Sequence, residues 1–218
     1  KGSAEISNSY GSFNSRKHTV KFSTGLLNDH IEIAGRFSNI ASDGYVDRAS
    51  SDLKSYFLQG TYIGKSTLIK ALVFGGKEKT YQAWNGIDGH TMNENRTFNY
   101  AGAIYNEDWT VRDFYDNQTD NYSQNHYQLH ISRRISNTWN LNVSGHYTRG
   151  SGYYEEYQQG DELDGEKFAD YGLNNLYFGR DSIFNGSSYE YFYHDTIYKS
   201  DLIRRRWLDN HYYGNTWS

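Results

Sequence analysis

The sequence predicts an all-β, antiparallel fold, and three observations carry that expectation. Rings are abundant in a hydrophilic chain: 22 Tyr, 11 Phe and 5 Trp stand among 218 residues, while mean hydropathy is −0.89. Apolar and polar residues alternate with a period of two over long stretches, which sends them to opposite faces of a strand. The links between these stretches are either very short or very long. Glycine is frequent (21 residues), and proline and cysteine are absent, a composition that suits strands with one wet face. Without Cys there is no disulfide framework, thiolate metal site or cysteine nucleophile. A formal net charge of −4 gives no general electrostatic reason to bind nucleic acid. The density of rings argues against a disordered acidic chain.

In chain order, weaker strands are expected over Glu5–Phe13 and Arg16–Gly25. Asp29–Ser38 alternates clearly, with Ile31, Ile33, Gly35 and Phe37 on one face and His30, Glu32, Arg36 and Ser38 on the other. Asp52–Ile63 and Ser66–Tyr81 follow as weaker strands. Gln124–Ser136 sets Tyr127, Leu129, Ile131, Arg133 and Ile135 against Gln124, His126, Gln128, His130, Ser132 and Arg134. Trp139–Thr148 sets Trp139, Leu141, Val143, Gly145 and Tyr147 against Asn140, Asn142, Ser144, His146 and Thr148. Helical spacing of 3.6 fits none of these as well. A last strand, His211–Ser218, stops without a turn or cap, as expected of a fragment.

Asn14-Ser15, Leu26–Asn28, Gly64-Lys65 and Asn137 are tight links, while 39–51, 82–122 and 149–200 are long ones. Strand parity puts all three long links at the end opposite Asn137. Loops in compact soluble domains usually have about 4–6 residues. Short turns on one rim and long loops on the other describe a transmembrane β-barrel of the outer-membrane kind. The apolar face agrees: it is thin in aliphatics and has aromatic ends. Trp139 and Tyr147 bracket Leu141 and Val143, and Tyr56 and Tyr62 bracket Leu58, as in the aromatic girdles at lipid headgroups. The longest nearly apolar stretch, Leu68–Phe74, is broken by Lys70 and falls far short of the ~20 residues of a membrane helix. A membrane strand needs only about 9–11 residues. Arg133 on the apolar face fits only near a rim, where a charge costs about 0–1 kcal/mol.

The runs SDGYVDRASSDLKSYF (Ser42–Phe57), FGGKEKTYQAWNG (Phe74–Gly86), FYDNQTDNYSQNHYQL (Phe114–Leu129), HYTRGSGYYEEY (His146–Tyr157) and DLIRRRWLDNHYYG (Asp201–Gly214) resemble TonB-dependent outer-membrane receptors of the Bacteroidetes type. The resemblance runs from residue 42 to 214. It implies that 1–218 is the N-terminal portion of one barrel domain, about eight strands of a 22-stranded barrel, without the plug domain, the TonB box and the later strands. It further implies a protein of the bacterial outer membrane that captures and imports a scarce nutrient, with an iron-siderophore, haem or corrinoid cargo ahead of an oligosaccharide. Energy would come from the TonB–ExbB–ExbD complex through the missing plug. Outer-membrane lipid and lipopolysaccharide are implied as surroundings, and the family admits a surface lipoprotein partner. A rival reading from another class is a surface-exposed or soluble β-rich module whose loop rings stack on glycans.

The ligand-binding candidates are rings assigned to the extracellular loops: Tyr81, Trp84, Tyr105, Trp109, Tyr115, Tyr153 and Tyr154. Rigid amphipathic rings can hold a flat ligand by stacking and hydroxyl hydrogen bonds; loop packing would use the same rings. His126, His130, His146 and Arg134 are the polar residues expected to face the lumen. Histidines at i and i+4 on one strand are about 13 Å apart at roughly 3.3 Å per residue, too far to share a metal. His130 and His146 are the one pair expected to approach across a hairpin, and no metal site or cofactor is predicted. Asp161, Asp164 and Glu166 around Gly165 lack calcium-loop spacing. Alternation splits Arg204-Arg205-Arg206 between two faces. No HExxH, GxSxG or phosphate-cradling glycine loop occurs, so no enzyme is expected.

Overall fold

The computed structural model describes residues 1–160, 168–198 and 200–218, so the acidic cluster Asp161, Asp164 and Glu166 lies outside the described residues. Its elements are β1 (Ser3–Gly11), β2 (Ser15–Ser23), β3 (Ile31–Ser42), β4 (Ser51–Ile63), β5 (Thr67–Tyr81), α1 (Gly89–Glu94), β6 (Ala103–Tyr105), β7 (Val111–Phe114), β8 (Thr119–Arg134), β9 (Asn140–Gln158), a 3-10 helix (Phe168–Tyr171), β10 (Leu176–Phe184), β11 (Tyr189–Ile197) and β12 (Leu202–Trp217). They form two compact units. The first comprises Lys1–Ala101, Thr119–Tyr154 and Arg206–Ser218; the second comprises Gly102–Gln118 and Glu155–Arg205.

The first unit is built on one eight-stranded sheet in the order β1-β2-β3-β4-β5-β8-β9-β12, with antiparallel registers. Connections 24–30, 64–66 and 135–139 leave from one end of this sheet; 12–14, 43–50, 82–118 and 159–201 leave from the other. The long links therefore share an end, as expected, but the first tight turn lies there too. Phe13 and Asn14 form its centre with φ 57° and 52°, and Ser15 N–H donates to Ser12 C=O. Two successive left-handed residues are what a twisted two-residue hairpin needs. Phe13 meets Tyr45 edge-on at 5.6 Å.

The long links are shorter than the sequence suggested. Strand β8 begins at Thr119, and β9 continues to Gln158 instead of ending near Thr148. Pairing runs without a break from Arg134↔Asn140 to Asp120↔Tyr154. Past Thr148 both faces carry polar and aromatic residues, so a regular ladder produces no contrast between them. The links also contain strands of their own: β6 pairs with β7, and β10 with β11.

Register carries the period-two pattern across the sheet. One face gathers rows such as Ile31, Tyr62, Ile69, Ile131 and Val143, and Gly35, Leu58, Val73, Tyr127 and Tyr147. The other carries Thr19, Ser38 and Ser55 and a row of Phe57, Phe74, His126 and Thr148. In that row Phe74 stacks on His126 at 4.6 Å. The apolar face is open: Ile33 and Leu129 are each 46% exposed and Val143 is 40% exposed. Among the described residues, buried apolar side chains are Tyr81, Ala101 and Phe168, none of them in the middle of the sheet. Arg133 stands one residue from the end of β8, opposite Leu141 and Thr67.

Glycines on the apolar face are not equivalent. The Phe22 ring lies over Gly35, where a Cβ would come within 2.5 Å of the ring and 2.9 Å of Leu58. At Gly60 a Cβ would meet nothing within 4 Å. Gly35→Val is therefore expected to displace Phe22 and destabilise the protein by about 1–3 kcal/mol, whereas Gly60→Ala should be neutral or slightly stabilising. Unfolding midpoints of the two variants, measured in one solvent, check this; equal midpoints would contradict the assigned packing.

Candidate functional site

The rings singled out in the sequence are divided between the two units, and four of the seven belong to strands. Tyr81 ends β5, Tyr105 ends β6, and Tyr153 and Tyr154 lie within β9. Their polar, aromatic surroundings resemble loop composition, but backbone pairing sets their position.

In the first unit Tyr81 is buried and donates its hydroxyl to Ala101 C=O at 3.1 Å. The Arg48 guanidinium lies 5.7 Å over its ring, and Arg48 also donates to Asn99 C=O. Asn99, 1% exposed, donates to the carbonyls of Asp47 and Gln82 at 3.1 and 2.9 Å and accepts from Ala101 N–H at 3.0 Å. This knot joins segment 43–50 to segment 82–101, and it makes Tyr81 a packing residue. Asp88 orders the same segment by capping α1: it accepts from His90 N–H and Thr91 N–H. Hydrogen bonds from the Thr91 side chain and backbone, then from Tyr100, hold its carboxyl well below the usual carboxylate range.

Adjacent residues Tyr153 and Tyr154 point to opposite faces of β9. Tyr153 shares the face of Tyr147 and meets Trp207 at 4.6 Å. Tyr154 shares the polar face with His146, meets Trp84 edge-on at 5.7 Å, and carries Arg206 5.6 Å over its ring. Trp84 is 62% exposed. Trp84, Tyr154 and Arg206 thus form an open ring-and-cation group on the polar face at the long-loop end, suited to stacking and to a partial negative charge. Arg206 was missed as a member; only pairing of β9 with β12 brings it there.

The second unit holds a buried acid that sequence patterning did not mark. Glu155 is 1% exposed. Its Oε1 accepts from Tyr115 Oη at 2.5 Å and from Asn117 Nδ2, and its Oε2 accepts from Arg205 Nε. Tyr115 stacks on Tyr157 at 5.6 Å, and Tyr157 donates to Asp201 Oδ2. Glu156, the neighbour on the opposite face, accepts from Arg204 Nε at 3.0 Å. The three arginines have three different partners, as alternation requires. Glu155 and Tyr115 lie beyond the last apolar residues of their strands and loops. Burial works to raise the Glu155 carboxyl, but hydrogen bonds from Tyr115, Asn117 and Arg205 hold it below the usual range. Burial and the bond to Glu155 push the Tyr115 phenol up to about 12. Tyr115 is thus committed to the acid. Tyr105 and Trp109 meet at 6.1 Å, Trp109 being 59% exposed with φ 64°.

His126, His130 and His146 occupy the polar face, as does Arg134 by parity. His126 Nδ1 bonds Thr148 Oγ1 at 2.8 Å and His130 Nδ1 bonds Ser144 Oγ at 2.8 Å. His146 faces Gln128, so it stands diagonal to His130, not opposite. Among the described residues no group of three or more His, Asp or Glu gathers to hold a metal.

Glu155→Gln is expected to loosen the second unit by about 1–3 kcal/mol, the cost of weakening a buried charged hydrogen-bond set. Hydrogen exchange over 102–118 should rise while that of 51–63 stays unchanged. The Tyr115 contribution is present below the ordinary tyrosine range near pH 10 and is lost as pH rises through about 12. The Glu155 contribution is present above the ordinary carboxylate range and fades as pH falls through its lowered value. Burial and the bond to Asp201 push the Tyr157 phenol up to about 12 as well, so absorbance titration should show one late-titrating phenol fewer in Tyr115→Phe than in wild type. Comparison with family models, characterised proteins and solved structures gives no match.

Proposed function

We propose that the chain is part of the barrel wall of a TonB-dependent receptor in a bacterial outer membrane, importing a scarce nutrient such as an iron-siderophore, haem or a corrinoid. One observation carries this reading: an apolar face continuous from β2 to β9 that is left open to its surroundings. In water, each Leu, Ile or Val left exposed forfeits about 1.5–3 kcal/mol of burial. In a bilayer the same face is solvated by lipid, and a sheet with apolar-out and polar-in alternation becomes the stable arrangement. Strand lengths suit it: β3, β4, β5, β8 and β9 have 12 to 19 residues against the about 9–11 of a crossing. Tyr56 and Tyr62 flank the band on β4, and Arg133 falls at a rim.

On this reading Trp84, Tyr154 and Arg206 form the loop-end surface that meets cargo, while plug and TonB complex supply the rest. The glycan-binding module leaves the apolar face without a purpose, so it stands second.

The intact protein should require detergent to stay monodisperse and should show heat-modifiable gel mobility. Monodispersity without detergent, with no such mobility shift, would falsify the barrel reading. Trp84→Ala and Tyr154→Ala should each weaken binding of the responsive cargo, from a panel of ferric siderophores, haem and cobalamin, by about tenfold, a loss of ~1.4 kcal/mol. Tyr56→Ala, on the apolar face, should leave affinity unchanged. Equal losses in all three would remove the assignment of the cargo surface.

A further inference from the structure

Two short runs of the chain are matched in sequence and differ in structure. Trp84-Asn85-Gly86 and Phe184-Asn185-Gly186 each set an asparagine between a ring and a glycine. An Asn-Gly pair can modify itself. The glycine backbone nitrogen attacks the side-chain carbonyl carbon of the asparagine. Its proton goes to the carboxamide nitrogen, which departs as ammonia, and a five-membered imide closes. Water then opens the imide at either carbonyl. One opening gives aspartate; the other gives isoaspartate, with the main chain rerouted through the side chain. No oxidant, reductant or cofactor takes part. Glycine favours the attack because no Cβ crowds the nitrogen.

The two sites differ in what must break before the ring can close. Asn185 stands in the turn between β10 and β11. Its Oδ1 accepts from Ser187 N–H at 3.1 Å and from Ser188 N–H at 3.0 Å, and its own N–H donates to Ser188 C=O at 3.0 Å. Just outside, Phe184 pairs with Tyr189, and Gly186 holds φ 92°. Imide closure turns both the Asn185 side chain and its backbone away from this arrangement, so the turn and its side-chain bonds are lost together.

Asn85 has no such restraint. It lies between β5 and α1, outside any helix or strand, and both Asn85 and Gly86 are exposed. Among the described residues, neither the Asn85 carboxamide nor the Gly86 N–H has a hydrogen-bond partner. A Cβ on Gly86 would meet nothing within 4 Å, so the space around the attacking nitrogen is open. The two described Asp-Gly pairs are restrained as Asn185 is. Gly44 N–H donates to Ser42 Oγ at 3.2 Å, and the Asp88 carboxylate accepts from His90 N–H, Thr91 N–H and Tyr100 Oη.

We propose that Asn85 is a self-modification site, converting through the imide to aspartate and isoaspartate in the folded protein with water as co-reactant, while its turn protects Asn185. Each conversion adds one negative charge at the residue after Trp84. The isoaspartate form also lengthens the main chain there by one carbon. Trp84, the exposed ring that meets Tyr154, then stands on a longer and more acidic segment. The chemistry is the same whether the apolar face meets lipid or water.

The test ages the intact protein in neutral detergent and heavy-oxygen water, at neutral and at mildly alkaline pH. Peptides carrying Asn85 and Asn185 are followed by mass spectrometry, with fragmentation that separates isoaspartate from aspartate. Asn85 is expected to convert about tenfold faster than Asn185 or more, the factor set by the two side-chain hydrogen bonds that Asn185 must break. Isoaspartate and heavy oxygen should appear in the Asn85 product, and its rate should rise with pH because the attacking nitrogen must lose its proton. Gly86→Val fits the open space but crowds that nitrogen, and should nearly abolish the conversion. In denaturant the two matched sites should convert at similar rates. Folded-state conversion of Asn85 no faster than that of Asn185, aspartate without isoaspartate, or a rate indifferent to Gly86→Val overturns the site. A difference that persists in denaturant overturns the protection assigned to the turn.

Discussion

With hardly an apolar side chain buried, the eight-stranded sheet holds together through hydrogen bonds between its strands, and its other features keep those bonds in register. In water such a ladder would be a weak support, because every N–H and C=O has water as an alternative partner. In hydrocarbon no alternative exists, and each broken pair costs several kcal/mol. The proposed setting therefore turns the least specific interaction in the chain into its main source of stability. Side chains on the apolar face then need only be compatible with lipid and with each other, which is why Gly35 can lend its place to the Phe22 ring and Gly60 can stand bare.

The segments beyond the ladder are stabilised in a contrasting way. Asn99 closes three backbone bonds, Arg48 bridges a carbonyl and a ring, and Glu155 gathers a phenol, an amide and a guanidinium. These are polar devices with defined geometry. They hold long segments that have too little aliphatic content to form a core, and they account for conserving shape where hydrophobic burial cannot. Rings in these segments serve the same end, with Tyr81 and Tyr115 consumed by packing and Trp84 left outward.

Much of the sheet was legible in the sequence because half-buried strands write their orientation into a period of two. Ile31–Phe37, Tyr127–Arg133 and Leu141–Tyr147 each identify a face without any structure. Legibility fails where both faces meet polar surroundings. Gly150–Gln158 reads as loop, yet it is strand, since Tyr153, Glu155 and Tyr157 differ little in polarity from Tyr154, Glu156 and Gln158. Glu155 itself gives no local signal; its partners Tyr115 and Arg205 are tens of residues away, and only folding joins them. Arg206 escapes for the same reason. His130 and His146 were expected to approach because hairpin proximity is readable, while their diagonal offset depends on register, which is not.

Tyr153 and Tyr154 are consecutive in the chain and belong to different environments. One rests on Trp207 on the side that the barrel reading gives to lipid, and the other carries Trp84 and Arg206 on the side it gives to water. A nitrating reagent dissolved in the bilayer and one confined to the aqueous phase would thus modify neighbouring residues of a single peptide. The pair works as a compass needle for the wall: the ratio of the two products records which way the sheet faces in an intact cell.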